Sequence, residues 1–382
     1  MPTPRPGPPA QTRADGQLIA TRCDVLVIGG GPAGVAASIG LRLTTGLQVI
    51  VAEAGGEPVE RFGESLPPDI VLLLDRLGLA DVFRGDGHCR CPGSVSVWGR
   101  DKPGYNDFIL NPLGPAWHID RPRFETMLRA RAQQTRATLW TGTRAVGVAD
   151  ADDGFVVTLQ HRSNGTWNVH TDWVLDATGG AAWFARRQGA TRRVEDRMVA
   201  IVRLADLAAG TFTAQTLVEA TAPGWWYCAQ LPQDRIVTVL VTDQAQARDC
   251  LLADYAGWRE LLAGTALLAP RLHACRLDGE RFCTYPVTSA LLDQVEGERW
   301  LAIGDAASGL DPIAAQGIYK ALADAADAAE VIAAASRGEP PPWGYTERVT
   351  ARFGDYRANR AYLYGLEQRW TDAPFWRQRA PV

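Results

Sequence analysis

Three glycines with a fixed spacing follow the first apolar run of the chain. The run Cys23–Ile28 is β-branched and apolar, as a buried parallel strand should be, and Gly29, Gly31 and Gly34 come directly after it. The first glycine permits a tight turn, the second lets a pyrophosphate approach the backbone, and the third lets a helix pack on the strand. The N-terminus of that helix would face the phosphates. The spacing therefore predicts a dinucleotide site.

An acidic residue completes this pattern. Glu53 ends a second apolar run, Leu47–Ala52, 19 residues after the third glycine. A carboxylate here can accept both ribose hydroxyls and would repel a 2′-phosphate. These residues alone do not distinguish NAD from FAD. The residues predicted to bind the nucleotide are Gly29, Gly31, Pro32, Ala33, Gly34 and Glu53.

Later segments extend the pattern. One strand-like run closes on Asp176 and Gly179, and another is followed by Gly304 and Asp305. With the N-terminal motif, and in this order, they resemble the FAD-dependent monooxygenase and halogenase superfamily, in which segments from the start, middle and end of the chain bind one FAD. The resemblance implies that Asp305 binds a ribityl hydroxyl. It also implies that the helix after the next segment directs its N-terminus at the flavin. The cofactor residues implied here are Asp176, Gly179, Gly304, Asp305, Pro312, Gln316 and Gly317.

Two further segments resemble one branch of that superfamily. The segment from Arg61 to Pro67 contains Gly63-Glu64-Ser65 and is similar to the G-E-S-x-x-P segment of halogenases and geranylgeranyl reductases, which runs beside the flavin ring. The segment Trp117–Phe124 is similar to the D-R-x-x-F element of the same branch. The resemblance adds three implied cofactor contacts, Arg61, Ser65 and Arg121.

An aromatic strand is predicted at Trp225–Leu231, paired with Arg235–Val241 in an antiparallel sheet over the flavin. Alternation places Trp225 and Tyr227 on one face and Trp226 on the other. We interpret Trp225 and Tyr227 as a binding face for a planar substrate. Packing of the sheet on a helix is the alternative.

The halogenase pattern breaks at one position. Tryptophan halogenases carry a lysine shortly after the G-E segment, but the residues between Leu66 and Arg100 include none, and Lys102 is the nearest. Halogenation is therefore disfavoured. The stretch from Gly304 to Leu322, with Gln316, Gly317 and Lys320, instead resembles the flavoproteins that mature tryptophylquinone cofactors.

This narrower resemblance implies a reaction. Reduced FAD and O₂ would form a C4a-hydroperoxide, which would hydroxylate the indole ring of a tryptophan inside a partner polypeptide. Glu64, His118 and Asp311 are the candidates for handling protons. Each also has a structural interpretation: a loop hydrogen-bonder, a strand histidine and a turn-former, respectively. No second G-x-G-x-x-G follows a strand, so we expect NAD(P)H to dock transiently or a separate reductase to supply electrons.

Other functions stay open. The main alternative is a halogenase or hydroxylase of a small aromatic metabolite, and the others are a reductase of isoprenoid chains and a non-catalytic flavoprotein scaffold. The cluster His88-Cys89-Arg90-Cys91 is a weak candidate for a metal or redox site. No metal is expected.

The composition limits the class of protein. The chain has 382 residues, 46% of them hydrophobic, and a net charge of −4, which disfavours a nucleic-acid binder. No apolar run is long enough for a membrane span. Seven scattered cysteines without an export signal favour the cytoplasm.

The predicted fold is α/β. A three-layer, Rossmann-like FAD-binding domain is expected from residues 21–190 and 285–340. An antiparallel-sheet substrate domain is expected from residues 191–284, with residues near 90–120. A disordered tail is expected at 1–20 and a helical cap at 341–382.

Overall fold

The structure is a computed structural model that describes residues 21–59, 61, 63–250 and 255–379. The tail predicted at 1–20 lies outside these residues, as do positions 380–382 of the predicted cap. Among the described helices, none is both long and apolar enough to cross a membrane.

The strands lie, in chain order, at β1 (Thr21–Ile28), β2 (Val49–Glu53), β3 (Ser65–Leu66), β4 (Cys89–Cys91), β5 (Gly93–Val97), β6 (Gly104–Asp107), β7 (Ala116–His118), β8 (Thr138–Thr141), β9 (Thr143–Ala151), β10 (Gly154–His161), β11 (Gly165–Asp176), β12 (Arg192–Val194), β13 (Met198–Ala209), β14 (Thr216–Thr221), β15 (Gly224–Leu231), β16 (Arg235–Asp243), β17 (Arg276–Val287), β18 (Ala290–Leu292), β19 (Glu296–Gly297), β20 (Trp300–Ala302) and β21 (Ser308–Gly309). The helices lie at α1 (Pro32–Thr44), α2 (Ile70–Arg76), α3 (Ala80–Gly85), α4 (Arg121–Gln134), α5 (Gln244–Cys250), α6 (Ala256–Ala263), α7 (Leu268–His273), α8 (Gly317–Ser336), α9 (Tyr345–Gly365) and α10 (Pro374–Arg377).

The first sheet contains the predicted β1–α1–β2 unit. Its strands follow the order β19-β20-β11-β1-β2-β8, and β20, β11, β1, β2 and β8 are parallel to one another. Helix α1 packs against α4 and α8. The β9–β10 hairpin continues antiparallel from β11 and contacts β2, which provides a third layer. Because both faces are covered, the apolar residues Val25–Ile28 of β1 are buried.

The second sheet has seven strands in the order β17-β13-β16-β15-β14-β5-β6. Its pairs are antiparallel except for β14 and β5. Strands β5 and β6 come from residues 93–107, so an earlier part of the chain completes this sheet. Strand β6 forms one edge.

The two faces of β15 pack on different partners, as its alternation predicts. Trp226 lies against Trp258 of α6, with ring centroids 5.1 Å apart. Trp225 and Tyr227 belong to the cluster on the opposite face, which includes Tyr364 and Trp376 from the C-terminal segment.

The C-terminal helices connect the two sheets. Helix α9 packs on α8, and near its end the Nε1–H of Trp98 donates to the carbonyl of Leu363 at 2.7 Å. Trp376 of α10 donates through Nε1 to the carbonyl of Thr221 at 2.8 Å. The predicted fold class, with its FAD-binding domain, antiparallel sheet and C-terminal helices, is confirmed. The domain boundaries stay a prediction.

Candidate functional site

The turn between β1 and α1 requires glycine at two positions. Gly29 has a φ of 111°, and a Cβ there would lie 2.2 Å from the carbonyl oxygen of Ala177. A Cβ on Gly34 would lie 2.0 Å from the carbonyl oxygen of Gly29. Neither position has room for a side chain, so α1 begins close against the end of β1.

Gly31 is different because it faces open space. It is the N-cap residue of α1, and a Cβ built there would have no atom within 4 Å. Gly31, Pro32 and Ala33 all line a large cavity. The N-terminus of α1 therefore leaves room for an anionic group, which its amides and dipole would stabilise.

Glu53 lines the same cavity at the end of β2. Its Oε2 accepts a hydrogen bond from the backbone N–H of Gly30, and its Oε1 accepts one from Gly55, each at 2.6 Å. A carboxylate has about four lone-pair sites, so two remain for ribose hydroxyls.

Asp176, a cofactor contact implied by the resemblance, lies just behind the cavity. It is fully buried at the end of β11 and does not line the cavity. Its Oδ1 accepts from the N–H and hydroxyl of Thr178, and its Oδ2 accepts from the N–H groups of Phe184 and Ala185. Burial raises the pKa of Asp176, and these donors oppose that shift. Asp176 thus orders the loop that carries Gly179 into the cavity, and its contact with the cofactor stays a prediction.

Gly304 and Asp305 have separate roles in one turn. Gly304 has a φ of 60°, and a Cβ there would lie 2.8 Å from the Cβ of Ala33, so the turn packs tightly on α1. Gly304 does not line the cavity, whereas the exposed Asp305 does. The backbone carbonyl of Asp305 accepts from Arg192 at 2.8 Å. Asp305 therefore stays the predicted ligand of a ribityl hydroxyl.

A buried ion pair supports this turn from the other side. Lys320 Nζ donates to the carbonyl of Gly304 at 2.7 Å and to Asp324 Oδ2 at 2.9 Å. The N–H of Gly304 donates to the same carboxylate oxygen at 3.0 Å. Arg352 of α9 pairs with the other oxygen of Asp324.

Asp311 lines the cavity but is already hydrogen-bonded. Its Oδ2 accepts from the hydroxyl of Tyr364 at 2.7 Å and from Arg360 Nε at 3.2 Å. Its Oδ1 caps the following turn by accepting from the N–H of Ile313. Burial raises the pKa of Asp311, opposed by Tyr364 and Arg360. These contacts favour the turn-forming role over proton transfer.

Gly317 at the start of α8 and Pro312 in the preceding turn both line the cavity. Gln316 is the N-cap residue of α8, and its carbonyl accepts from the N–H of Lys320 at 2.8 Å. Gln316 is not among the residues that line the cavity, although Ala315 and Gly317 on either side of it are, and its cofactor contact stays a prediction.

The G-E-S segment lines the cavity and contacts the second sheet. Ser65 and Tyr227 are joined by a hydrogen bond of 2.7 Å between their hydroxyl oxygens. Glu64 is buried, and its Oε2 accepts from the N–H of Gly63 at 3.0 Å. Arg61 is exposed at the cavity, which Glu64 and Ser65 also line.

His118 and Arg121 also line the cavity. His118 is 1% exposed, and its Nε2 lies 2.8 Å from the hydroxyl of Thr216. Burial lowers the pKa of His118 to about 4, so the ring is neutral at neutral pH. Arg121 donates to the carbonyl of Gly63 at 3.0 Å and to Glu125 at 2.8 Å, and thereby fixes the segment before Glu64.

The aromatic face consists of Trp225 and Tyr227, and both line the cavity. Trp225 Nε1–H donates to the hydroxyl oxygen of Tyr364 at 2.9 Å. Burial raises the pKa of Tyr227 well above its usual value, so its hydroxyl stays protonated.

The cavity joins these segments in one space of about 1320 Å³. Ligand pockets commonly have about 300–1,000 Å³, so the cavity has room for a cofactor and a substrate together. The open space before α1 fits the pyrophosphate of FAD. Glu53 fits the ribose of its adenosine part, and the exposed turn with Asp305 fits its ribityl chain. The predicted residues that line the cavity are Gly29, Gly31, Pro32, Ala33, Glu53, Arg61, Glu64, Ser65, His118, Arg121, Gly179, Trp225, Tyr227, Asp305, Asp311, Pro312 and Gly317.

A family model described as an FAD binding domain matches residues 22–352. The chain belongs to this family. Its members are FAD-dependent, oxygen-using oxidoreductases and halogenases, so the chain is a flavoenzyme.

Among related sequences, LodB of Marinomonas mediterranea carries the name of an FAD-dependent oxidoreductase. It is 24% identical over 358 residues, which cover 93% of this chain and 96% of LodB. The flavin-dependent halogenase armH4 of Armillaria mellea is 26% identical over an alignment of 384 positions, gaps included, which covers 90% of this chain and 70% of armH4.

Two solved structures with this fold represent different reactions. The flavin-dependent halogenase CmlS has a TM-score of 0.83 and 26% identity, covering 95% of this chain and 68% of its own. The peptidyl tryptophan dihydroxylase QhpG has a TM-score of 0.72 and 24% identity, covering 94% of this chain and 79% of its own.

The positions of the two lysines bear on whether the site resembles that of a tryptophan halogenase. The chain has Lys102 and Lys320, and neither lines the cavity. Lys102 is exposed in the loop before β6, and Lys320 is engaged behind the Gly304 turn. The cavity of this flavoenzyme therefore contains no ammonium group from the described residues.

Tyr364 and Thr216 are site residues that the sequence did not indicate. Tyr364 connects Trp225 to Asp311, and Thr216 contacts His118. Each acts through a partner that is distant in sequence, and no local motif marks it.

The Cys89–Cys91 cluster lies on β4. The Cys91 thiol is buried and donates to the carbonyl of Gly93 at 3.1 Å. Among the described residues, no group of three or more His, Cys, Asp or Glu side chains is placed to hold a metal.

Proposed function

We propose that this flavoenzyme is a monooxygenase that hydroxylates the indole ring of a tryptophan within a partner polypeptide. The observation that carries the proposal is the composition of the cavity. It contains the FAD-fitting residues and the aromatic face of Trp225 and Tyr227, but neither lysine of the chain. An oxygenase needs a dry space for a planar, electron-rich ring beside the flavin, and requires no ammonium group there.

Bound FAD would supply the redox chemistry with O₂, and the chain would position the reactants. Glu53 and Asp305 would hold the ribose and ribityl hydroxyls, and the N-terminus of α1 would hold the pyrophosphate. Arg121 keeps the Gly63 backbone in place beside the cavity. Trp225 and Tyr227 would orient an indole ring by offset or edge contacts.

Proton handling falls to groups that face the cavity. The Tyr227 hydroxyl is protonated and hydrogen-bonded to Ser65, so it can donate to a developing oxyanion on the substrate. His118 is neutral and can accept a proton only weakly, because burial disfavours its charged form. Glu64 is a carboxylate beside Tyr227 and is the better candidate for the base that restores aromaticity.

One similarity supports a polypeptide substrate. QhpG, whose name describes a peptidyl tryptophan dihydroxylase, shares the fold over 94% of this chain. LodB, named as an FAD-dependent oxidoreductase, matches nearly the whole of both chains and supports the reaction class. Through the resemblance found in the Gly304–Leu322 stretch, the proposal places the reaction in tryptophylquinone biogenesis, with NAD(P)H or a reductase as the electron source.

Halogenation or hydroxylation of a small aromatic metabolite is the second candidate. The similarity to CmlS, at a TM-score of 0.83, favours it. The engagement of Lys320 with Gly304 and Asp324, away from the cavity, opposes halogenation.

One experiment separates these candidates. The FAD-loaded protein is given a reductant, O₂, chloride and bromide, with a tryptophan-containing peptide or free tryptophan in parallel. We expect the peptide to gain one or two oxygen atoms and free tryptophan to stay unchanged, as measured by mass spectrometry. An Asp305→Ala variant lacks the carboxylate that is proposed to bind the ribityl chain of FAD. It controls for uncatalysed oxidation by free reduced flavin. A halogenated indole, or turnover of free tryptophan only, would favour the second candidate.

A further inference from the structure

A substrate polypeptide needs a surface next to the cavity. Two large side chains near the C-terminus are already engaged within the fold: Trp376 is buried and hydrogen-bonded to Thr221, and Arg352 pairs with Asp324 and Asp327. These two side chains hold the fold together.

The exposed edge of the second sheet lies beside the cavity. Strand β6, Gly104–Asp107, pairs only with β5 in the described sheet. Asn106 of β6 and Phe108 just after it line the cavity. Tyr105 and Asp107, on either side of Asn106, are exposed. The edge strand is therefore continuous with the space where the reaction is proposed to occur.

The hydrogen-bond register shows which backbone groups of β6 are unpaired. The N–H of Phe108 donates to the carbonyl of Pro92 at 2.8 Å, and the pairing continues with Gly93 opposite Asp107 and Ser94 opposite Asn106. In an antiparallel pair, hydrogen-bonded and non-hydrogen-bonded residue pairs alternate. Asn106 therefore bonds to β5, whereas the N–H and C=O groups of Tyr105 and Asp107 point away from it.

The loop after β6 adds exposed apolar side chains. Ile109 is 88% exposed and Leu110 is 92% exposed, the highest values among the large hydrophobic residues of the described chain. Tyr105 is 67% exposed. Exposed apolar residues grouped at the edge of a ligand cavity are typical of an interaction surface.

We propose that β6 binds an extended segment of the substrate polypeptide as an added strand, with the target tryptophan beside Asn106 and its ring in the cavity. The proposal rests on the proposed function and specifies how the substrate docks. The outward N–H and C=O groups of Tyr105 and Asp107 would bond to the main chain of the peptide. Ile109 and Leu110 would contact its apolar side chains.

This geometry selects a polypeptide over a small metabolite. Only a chain with backbone amides at strand spacing can bond to Tyr105 and Asp107 together. Side chains of an added strand alternate between the two faces of the sheet. A residue beside Asn106 would therefore point to the face on which Asn106 meets the cavity, and its neighbours would point away.

The test measures binding separately from oxygenation. The probe is a fluorescently labelled peptide of alternating threonine and valine, with one central tryptophan and lysines at both ends. Its affinity for the FAD-loaded protein is measured by anisotropy. Tyr105→Pro removes an outward N–H without removing a bond to β5, and proline is tolerated on edge strands. Tyr105→Thr removes the same aromatic ring but keeps the N–H.

We expect Tyr105→Pro to weaken peptide binding about threefold to tenfold relative to Tyr105→Thr, as the loss of one hydrogen bond predicts. For the unmodified protein, two peptides are compared that carry N-methyl groups on opposite sets of alternate backbone amides. Only the peptide whose methyl groups block the amides that face β6 should bind more weakly. The peptide series keeps the test valid if Tyr105→Pro does not fold.

Three results would overturn the docking proposal: no binding of the peptide, equal binding by both Tyr105 variants and both methylation registers, or a dimer that Tyr105→Pro dissociates. The last would show that β6 pairs with a second copy of the chain. Oxygen gain by the peptide with unchanged binding in every variant would refute the docking site but keep the proposed function. Binding that depends on the methylation register, without oxygen gain by the peptide, would support the docking site but refute the proposed function.

Discussion

The hydroxyl of Tyr364 donates to Asp311 Oδ2 at 2.7 Å, across 53 positions of sequence. The same hydroxyl oxygen accepts the Nε1–H of Trp225. A single residue near the end of α9 therefore connects the aromatic face to the turn before α8, and both line the cavity.

Removing this hydroxyl should destabilise the protein. Tyr364→Phe leaves Trp225 Nε1 without its acceptor and takes one donor from the buried Asp311, at a cost of about 1–3 kcal/mol. Urea unfolding followed by tryptophan fluorescence measures the loss. Tyr362→Phe is the matched control, because Tyr362 lies on the same helix and is 65% exposed. Equal stability of the two variants would show that the Tyr364 hydroxyl contributes nothing.

FAD affinity should depend on Glu53. FAD should be bound noncovalently and be released on denaturation. Glu53→Lys would lose charge-assisted hydrogen bonds to ribose, each contributing about 1.5–3 kcal/mol, so the Kd of FAD should rise at least about tenfold. Titration of the apoprotein with FAD gives the Kd. Glu57→Lys makes the same charge change at an exposed position and should leave the Kd unchanged. A Kd that is the same for Glu53→Lys and Glu57→Lys would remove Glu53 from the ribose site.

Lys320 should be needed for stability and for FAD retention together. Lys320→Met leaves Asp324 with Arg352 as its remaining cationic partner and frees the Gly304 carbonyl. Breaking a buried pair costs up to about 3–5 kcal/mol. Thermal unfolding with and without added FAD measures both effects. Lys102→Met, on the exposed loop, should change stability by less than about 0.5 kcal/mol. A stable Lys320→Met variant with normal FAD content would contradict the supporting role.

Acid should destabilise the protein through His118. Burial lowers the pKa of His118 to about 4 from an ordinary value near 6.5. Between these values the unfolded chain binds a proton that the folded chain does not, so stability falls as the pH drops from 6.5 to 4. The loss of stability due to His118 is about 3 kcal/mol over that range, and no loss occurs above it.

His118→Gln removes this titration, so its free energy of unfolding should fall less steeply over that range than that of the unmodified protein. His273→Gln, at an exposed position of α7, serves as the control and should follow the unmodified protein. Chemical denaturation at several pH values measures the slopes. Parallel slopes for the unmodified protein and His118→Gln would refute the assignment.

The sequence predicts best where short-range geometry decides the structure. The turn at Gly29 and the two faces of β15 follow from local sterics and strand alternation, and the structure contains both. These features need no knowledge of distant contacts.

The hydrogen-bond partners of Asp176 and Asp311 could not be predicted in this way. The orientation of the Asp176 carboxylate depends on the backbone at Phe184 and Ala185, which a loop brings back to the end of β11. Asp311 likewise acquires Arg360 and Tyr364 only because α9 returns across the turn. A motif predicts that an acid stands near the cofactor, but long-range packing decides which donors it meets.

The cavity also has a consequence for the order of biosynthesis. Its phosphate end is formed around Gly29, whereas Asp305 follows 276 positions later. At about 5–20 residues per second, a ribosome needs roughly 14–55 s to pass from one to the other. The nascent β1–α1–β2 unit can fold well before the other half of its binding site exists. We therefore expect flavin to be bound in full only after Asp305 has left the ribosome, when both parts of the cavity can form.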